Sequence, residues 1–454
     1  MRAKNRGMAP SKRGLAVALL GLLTAVPGAT AAPSATSVTS VGGSLTAAAD
    51  ASVAVSPDRI VILVNERFVI RRRDTGSEVA LTLRSFSFGV PPTGSDVMWD
   101  DRTQRFYYVI TSKDGTNSFL NIGWSRTATP TGETDWCRYR SAYSLDVLQN
   151  PVLGDTSNRL LIGVNRVNRS SGVFVDADLH HLRKPDPASD CQLVPPPGTT
   201  INLRLGTEKV RGPAPATQID DSSNGYVVAR PASLPDDRLL VIRASETRRG
   251  AVNLTYSTVA TDSFAEPPDL AQKSSTQLLD TGVAEFTQAI LARVPRHAND
   301  FSLFTQHTVA DGTGAAVEWF ELDPTGTAVT IRRSGRLANG FSGAIASNRR
   351  YGVATSGDDF AIVFNRSAAD IFPRIRVASS IDGAALTTAQ VAAASAPLFR
   401  ATTAGPYAFG GATAVPDPAS ATIFVASELP AGTGTAPAFT DPDRWQARVF
   451  QITP

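Results

Sequence analysis

The sequence of 454 residues contains few of the residues from which metal and nucleotide sites are built. It has two cysteines and four histidines. Adjacent side chains of a strand point to opposite faces, so His180 and His181 cannot bind one zinc ion together. The glycine pairs lack the lysine and the spacing of a phosphate-binding loop, and a Gly-x-Ser-x-Gly motif is absent. We therefore assign no catalytic residue and expect no cofactor, with calcium on the turn carboxylates Asp100-Asp101 and Asp236-Asp237 left open.

Apolar runs long enough to span a membrane are also absent from the sequence. The longest run, residues 15–26, has about 12 residues, whereas a membrane-spanning helix needs about 20. A basic stretch precedes this run, and the small residues Ala29-Thr30-Ala31 follow it. This order is typical of a secretory signal peptide that covers residues 1–31. The sequence therefore predicts a secreted, extracellular protein without a membrane span.

Excess charge of one sign is absent once the signal peptide is set aside. The formal net charge of the full sequence is +3, and residues 1–31 carry five basic and no acidic side chains. The remaining chain is thus slightly acidic, which gives no reason to expect nucleic acid as a partner. Cys137 and Cys191 both lie in the exported part. In an oxidising compartment such a pair is most simply a disulfide, although two free thiols are the alternative.

A recurring unit dominates the rest of the sequence. Residues 32–49, rich in Ser, Thr, Ala and Gly, are expected to form a flexible leader. Beyond them an Asp- or Asn-containing turn is followed seven times by an apolar strand, and the turns begin at Asp58, Asp100, Asp155, Asp236, Asn299, Asp358 and Asp417. Several strands per repeat predict that residues 50–454 form an all-β fold, a β-propeller of four-stranded blades. We expect seven blades, with six as the alternative.

Several stretches resemble secreted bacterial β-propeller proteins of sialidase-like architecture, a group mostly of unassigned function. The matching residues are 52–58, 97–100, 105–108, 122–125, 130–132, 151–154, 164–165, 318–322, 372–376 and 443–448. The sequence departs from that group at Gln149-Asn150-Pro151, where an acidic residue often precedes the proline, and at residues 405–411, where an Arg-Trp-Gly-Asp-Tyr-like strand is common. These departures argue against inherited ion binding or acid/base chemistry.

The loops of a propeller converge at the mouth of its channel, which is where such proteins commonly bind ligands. If the innermost strand of each blade begins shortly before its Asp turn, five residues approach this mouth: Asp96, Asn150, Gln218, Phe341 and Tyr407. We predict them as ligand-binding residues. The alternative for each is that it packs the neck of the channel.

Three functions follow from this reading. The leading hypothesis is a monomeric secreted propeller that binds an extracellular glycan or protein without catalysis. The alternative is a divergent glycan-cleaving enzyme, either a sialidase-like glycoside hydrolase or a polysaccharide lyase, and the third is a structural envelope component. The Ser-x-Asp-x-Gly-x-Thr-Trp repeat of sialidases is absent. An enzyme would need at least two arginines and a carboxylate or tyrosine in one pocket, so their convergence separates the first two hypotheses.

Overall fold

The computed structural model describes residues 31–43, 51–64, 66–143, 146–186, 191, 198–394, 407–408, 411–430 and 445–454. The predicted signal peptide, residues 1–31, therefore lies almost wholly outside the described residues. Three short helices occur in the described part: α1 (Leu83–Phe86) and two 3-10 turns, Glu133–Asp135 and Pro295–His297. None of the helices there is long and apolar enough to cross a membrane. All other regular structure is β-strand, which confirms the all-β prediction.

The strands form successive four-stranded antiparallel units, each running from an innermost to an outermost strand. β1 (Ser34–Gly43) comes first in the chain and belongs to the last unit. The first unit comprises β2 (Ser52–Val55), β3 (Arg59–Val64), β4 (Arg67–Arg72) and β5 (Glu78–Thr82). The second comprises β6 (Pro92–Asp100), β7 (Arg105–Lys113), β8 (Ser118–Ser125) and β9 (Trp136–Tyr143). The third comprises β10 (Asp146–Asp155), β11 (Arg159–Asn168), β12 (Phe174–Arg183) and β13 (Gly198–Asn202).

The later units repeat this arrangement. After the short β14 (Arg204–Leu205), the fourth unit comprises β15 (Glu208–Gln218), β16 (Asn224–Pro231), β17 (Asp236–Glu246) and β18 (Val252–Phe264). After β19 (Leu279–Asp280), the fifth comprises β20 (Phe286–Val294), β21 (Asp300–Asp311), β22 (Gly314–Asp323) and β23 (Thr330–Ala338). The sixth comprises β24 (Gly340–Ser347), β25 (Phe360–Ala368), β26 (Ile371–Ser380) and β27 (Thr387–Ala393). After β28 (Tyr407–Ala408), the last comprises β29 (Thr413–Pro416), β30 (Ile423–Pro430), β31 (Trp445–Thr453) and β1.

The innermost strands lie side by side in a closed ring, in the order β2, β6, β10, β15, β20, β24, β29 and back to β2. The fourth and fifth units are joined by parallel pairing of β15 with β20. A ring of sheets around a central axis is a β-propeller, so the predicted architecture of four-stranded blades is confirmed.

The packing between units explains why the apolar runs do not alternate. Five consecutive residues of β7, Phe106 to Ile110, are fully buried. Tyr108 packs with Phe68 of the first unit, whereas Tyr107 packs with Leu160 of the third. Both faces of the strand are therefore covered by neighbouring sheets, and every position favours an apolar or aromatic side chain.

Residues 34–43 differ from the sequence-based expectation of a flexible leader. They form β1, which pairs antiparallel with β31, from Ser34 opposite Thr453 to Gly43 opposite Trp445. The low overall hydrophobicity predicted disorder, but Thr and Val suit an edge strand, and β31 offers an open edge. Val41 is buried in a core shared with Val53 and Val449. The amino-terminal strand thus completes the sheet built from the carboxyl-terminal strands.

The Asp turns occupy equivalent places in six of the seven predicted repeats, between the first and second strands of a unit. The exception is Asp236, which lies at the start of β17 and so follows the second strand of the fourth unit. Asp220 and Asp221 hold the equivalent turn there. The prediction misplaced this repeat because the first and the second of the three turns of the fourth unit both carry paired aspartates.

The predicted disulfide between Cys137 and Cys191 is confirmed, with the two Cα atoms 5.2 Å apart. Cys137 lies on β9, the outermost strand of the second unit. Cys191 lies between β12 and β13 of the third unit rather than in a strand. The bridge therefore joins the third unit to β9, the outermost strand of the second unit.

Candidate functional site

A cavity of about 350 Å³ opens where the innermost strands begin. We call it the channel mouth. Each innermost strand contributes at least one residue to its wall: Ser52, Asp96, Asn150, Gly212, Thr287, Gly343 and Thr413. Asp280 and Thr281 of the connection before β20 complete one side. The ring of units therefore brings seven chain segments together around one cavity. The volume of this cavity is typical of small-molecule binding sites.

Three of these strands reach the channel mouth through a β-bulge. Asn150, Gly212 and Ser342 have φ angles of 50°, 62° and 47°, and all three line the cavity. They lie at register shifts of β10, β15 and β24. Bulges re-aim side chains and are frequent beside binding sites, and the left-handed conformation costs about 1–3 kcal/mol for a residue other than glycine. The repetition of this geometry at register shifts of three innermost strands, in two of them on a residue other than glycine, marks the channel mouth as the candidate site.

Glu285 anchors one wall of the channel mouth. Its Oε2 accepts hydrogen bonds from Asn150 Nδ2 at 3.0 Å and Asn165 Nδ2 at 2.8 Å, while its Oε1 accepts one from Arg211 Nε at 2.6 Å. Glu285 is 3% exposed. A Cβ at Gly212 would lie 2.7 Å from the Glu285 Cβ, so only glycine fits there. The carboxylate therefore fixes the amide of Asn150 at the cavity wall.

Asp96 anchors the opposite wall and lines both the channel mouth and a narrower cavity of about 60 Å³ farther along the channel. Its Oδ1 accepts hydrogen bonds from Ser52 Oγ at 2.6 Å and from the backbone N–H of Val97 at 2.8 Å. Its Oδ2 accepts one from the backbone N–H of Leu153 at 2.7 Å. Asp96 thereby connects the innermost strands of the first three units.

Hydroxyl and amide groups supply most of the remaining polar surface. Gln306 Nε2 donates to Thr287 Oγ1 at 2.8 Å and also to the carbonyl of Gly343. Thr308 Oγ1 accepts from the backbone N–H of Ser342 at 3.2 Å. The exposed Thr287 lies in this wall. Uncharged donors and acceptors therefore face the cavity beside the carboxylates of Asp96, Asp280 and Glu285.

The structure brings some of the predicted site residues together and separates others. Asp96 and Asn150 line the channel mouth, and Gln218 lines the narrower cavity with Asp96. Phe341 is fully buried and packs with Leu270 and Leu279, away from the mouth, because the bulge in β24 turns the strand there. Tyr407 lies on β28, but its side chain falls outside the described residues.

Glu285, Asn165 and Arg211 were missed by sequence reasoning. Glu285 directly precedes β20, and Arg211 precedes the Gly212-Pro213 bend, so each stands at the start of an innermost strand. That position was the available signal. Asn165 lies on the second strand of its unit and gives no such signal.

The electrostatic character of the channel mouth is acidic. Asp96, Asp280 and Glu285 line it, whereas Lys, Arg and His are absent from its wall in the part of the chain that the structure describes. Burial, together with the negative charge of the nearby Asp280, raises the pKa of Asp269. The convergence of two arginines that an enzyme of sialidase type would need is therefore not found among the described lining residues.

Two of the four carboxylates considered for calcium, Asp100 and Asp236, are engaged with cations. Asp100 contacts Lys184 Nζ at 2.6 Å and Arg102 Nε at 3.1 Å, and Asp236 contacts Arg238 Nη2 at 2.7 Å. Among the described residues there is no group of three or more His, Cys, Asp or Glu side chains arranged to hold a metal ion. The two turns act as ion-paired corners of the sheets.

No protein-family model matches the sequence, and neither does the sequence of any curated protein. Solved structures similar to this chain include the Trypanosoma rangeli sialidase, which is 9% identical over 93% of this chain and 60% of that chain, with a TM-score of 0.42. The phage phi92 endosialidase is 10% identical over 92% of this chain and 69% of that chain, with a TM-score of 0.40. A GH43_1 enzyme from Xanthomonas citri is 11% identical over 65% of this chain and 94% of that chain, with a TM-score of 0.32.

This chain thus spans about three fifths of the length of the Trypanosoma rangeli sialidase. At these TM-scores the similarity supports no argument about activity or substrate. The pairing of the strands within this chain therefore carries the assignment of the architecture, an all-β propeller of four-stranded blades.

Proposed function

We propose that this protein is exported and binds an uncharged glycan at the channel mouth without cleaving it. The observation that carries the proposal is the wall itself: seven strands present hydroxyl, amide and backbone groups around one cavity of about 350 Å³. Sugars are recognised through just such arrays of hydrogen-bond donors and acceptors. The signal-like amino terminus and the disulfide support the extracellular setting.

The acidic wall favours a neutral ligand over an anionic one. Asp96 and Asp280 would repel the carboxylate of a sialic or uronic acid, and the described lining residues include no cation. Arg211, behind the wall, balances only Glu285. A neutral sugar avoids this repulsion and can donate hydroxyl hydrogens to the carboxylate oxygens. Carboxylate acceptors form stronger hydrogen bonds with hydroxyl donors than neutral acceptors do.

The engagement of two of the three wall carboxylates, Asp96 and Glu285, supports binding rather than hydrolysis. A glycoside hydrolase needs one carboxyl group that donates a proton and a second that acts as nucleophile or base. Both oxygens of Asp96 and both oxygens of Glu285 accept hydrogen bonds from the protein. These carboxylates hold strands and side chains in place, which is a supporting role.

The test is binding of the purified protein to an array of neutral and acidic glycans, with analysis of each bound glycan for cleavage products. We expect binding to neutral members and recovery of the glycans intact. Thr287→Val removes one exposed hydroxyl from the wall and should weaken binding about fivefold to tenfold. Thr258→Val, at an exposed position of the outermost strand β18, is the matched control and should bind normally.

Cleavage of a bound glycan would replace the proposal with the enzyme hypothesis. A preference for acidic glycans, or equal binding by Thr287→Val and the unaltered protein, would show that the channel mouth is not the site. Binding to no glycan would leave a protein ligand or a structural role in its place.

A further inference from the structure

A second cavity, of about 410 Å³, lies between the third and fourth units, away from the channel mouth. We call it the inter-unit pocket. The third unit contributes Arg159, His181, Arg183 and Thr199, and the hairpin between β17 and β18 contributes Arg249 and Gly250. None of these residues takes part in the site proposed above.

Among the described residues, positive charge exceeds negative charge around this pocket. Three arginines line it, and the nearby carboxylate is Glu246, which is shared by two of them: its Oε1 lies 2.8 Å from Arg159 Nη2 and 2.9 Å from Arg183 Nη2. The Glu246 Oε2 accepts from Asn158 Nδ2 at 2.7 Å. Arg249 makes no ion pair with any described residue. One carboxylate therefore balances only part of the charge of three guanidinium groups.

Arg159 is a fixed part of the wall. Its side chain is 6% exposed, and its Nη2 also donates to the carbonyl of Gly250 at 2.6 Å. Arg183 is 60% exposed and can adjust to a ligand. A rigid guanidinium at the base and two adjustable ones at the rim form an arrangement suited to the planar or tetrahedral oxygens of an anion.

His181 adds a donor of defined orientation. Arg159 Nη1 lies 3.2 Å from His181 Nδ1, and because a guanidinium can only donate, Nδ1 accepts and the proton resides on Nε2. Burial, followed by the charge of Arg159, lowers the pKa of His181, so the ring is neutral near pH 7. The side chain is buried and lines the pocket. Its Nε2–H is therefore a fixed hydrogen-bond donor beside the arginines.

We propose that the inter-unit pocket binds an oxyanion, with Arg159 and His181 as its fixed donors and Arg183 and Arg249 as its closing groups. The shared chemistry is a small anionic group with several oxygens: a sulfate ester, a phosphate or a sugar carboxylate. This ligand class is anionic, whereas the glycan proposed for the channel mouth is uncharged. The two sites would therefore recognise different ligands, or different parts of one polymer.

The test is calorimetric titration of the purified protein with sodium sulfate, sodium phosphate and sodium glucuronate at constant ionic strength. We expect binding of at least one anion, and the preferred anion identifies the source of the group. Arg249→Gln and Arg183→Gln should each weaken that binding about tenfold, the loss expected for one charge-assisted hydrogen bond. Both side chains are exposed enough for the variants to fold.

Arg248→Gln is the matched control, because Arg248 is exposed, neighbours Arg249 on the same hairpin and does not line the pocket. It should change the affinity less than twofold. An equal loss in Arg248→Gln would indicate diffuse attraction and overturn the proposal, as would binding of none of the three anions. Thr287→Val at the channel mouth should leave anion binding unchanged, so the two sites are tested separately.

Discussion

The carboxylate of Asp155 accepts a 2.7 Å hydrogen bond from the backbone N–H of Gln218, which lies on the innermost strand of the next unit. The same buried carboxylate lies 2.6 Å from Lys184 Nζ and 2.6 Å from Arg102 Nη2. Asp220 repeats the link one unit later, where it accepts from the backbone N–H of Arg293 at 2.8 Å. An aspartate at the end of an innermost strand thus connects that strand to its neighbour in the ring.

We expect Asp155→Asn to destabilise the protein by about 3–5 kcal/mol, because it leaves the buried Lys184 and Arg102 with too little negative charge. The amide oxygen of asparagine can still accept from Gln218, so the loss reports the charge. Urea unfolding measures it. Asp74→Asn is the control, since Asp74 pairs with Arg72 on the surface and should have no measurable effect. Equal stability of the two variants would contradict the role assigned to Asp155.

The buried His180 predicts a dependence of stability on pH. Burial, with smaller contributions from Arg166 and His181, lowers its pKa from 6.5 to about 4. Between these values the unfolded chain binds a proton that the folded chain does not, so the free energy of unfolding falls as the pH decreases from 6.5 to about 4. The loss amounts to about 3 kcal/mol, because one pKa unit corresponds to about 1.4 kcal/mol.

Urea unfolding at pH 7.0, 5.5 and 4.5 measures this slope. His180→Asn removes the titrating ring. Between pH 6.5 and about 4, the free energy of unfolding of this variant should therefore fall by about 3 kcal/mol less than that of the unaltered protein. This holds even if the variant is less stable at pH 7. The remaining slope includes His307, whose pKa is also lowered by burial. A variant with the same slope as the unaltered protein would show that His180 is not the responsible group.

The packing of β1 can be tested by two substitutions in adjacent positions. Val41 is 4% exposed, whereas Ser40 is exposed. Val41→Asp should cost about 3 kcal/mol or more, because it places a charge among apolar side chains. Ser40→Asp should change the midpoint of thermal unfolding very little. Similar midpoints for both variants would instead indicate that residues 34–43 do not pack on the sheet.

Removing the disulfide should destabilise the protein by about 4 kcal/mol, the loop-closure entropy for cysteines 54 residues apart. The double variant Cys137→Ser, Cys191→Ser tests this in guanidinium chloride. Reduction of the unaltered protein should give the same shift, which serves as the control. No shift in either experiment would mean that the second and third units hold together without the bridge.

The fold was largely predictable because its repeating unit, an Asp- or Asn-containing turn followed by an apolar strand, is visible in the sequence. Residues 106–110 are buried on both faces, and such strands read as continuous apolar runs ended by Asp turns. β1 was not predictable, since Ser and Thr at its exposed positions resemble a disordered leader until β31 is placed beside them. Asp236 was misassigned because a local pattern does not show which turn of a unit it belongs to.

The candidate site was less predictable than the fold. Asp96 and Asn150 were found because they stand near the start of an innermost strand. Glu285 acts through residues more than one hundred positions away, Asn150 and Asn165, so no local pattern could connect them. Phe341 shows the reverse error: one extra residue in a bulge moves a side chain from a cavity wall to the core.

The pairing of Ser34 with Thr453 also means that β1 is synthesised long before its partner strand β31. A ribosome delivers residue 453 about 20 to 80 s after residue 34, at about 5 to 20 residues per second. During that interval β1 lacks its partner β31, and the ring of units stays open. The ring is therefore completed only when β31 has been synthesised and pairs with β1.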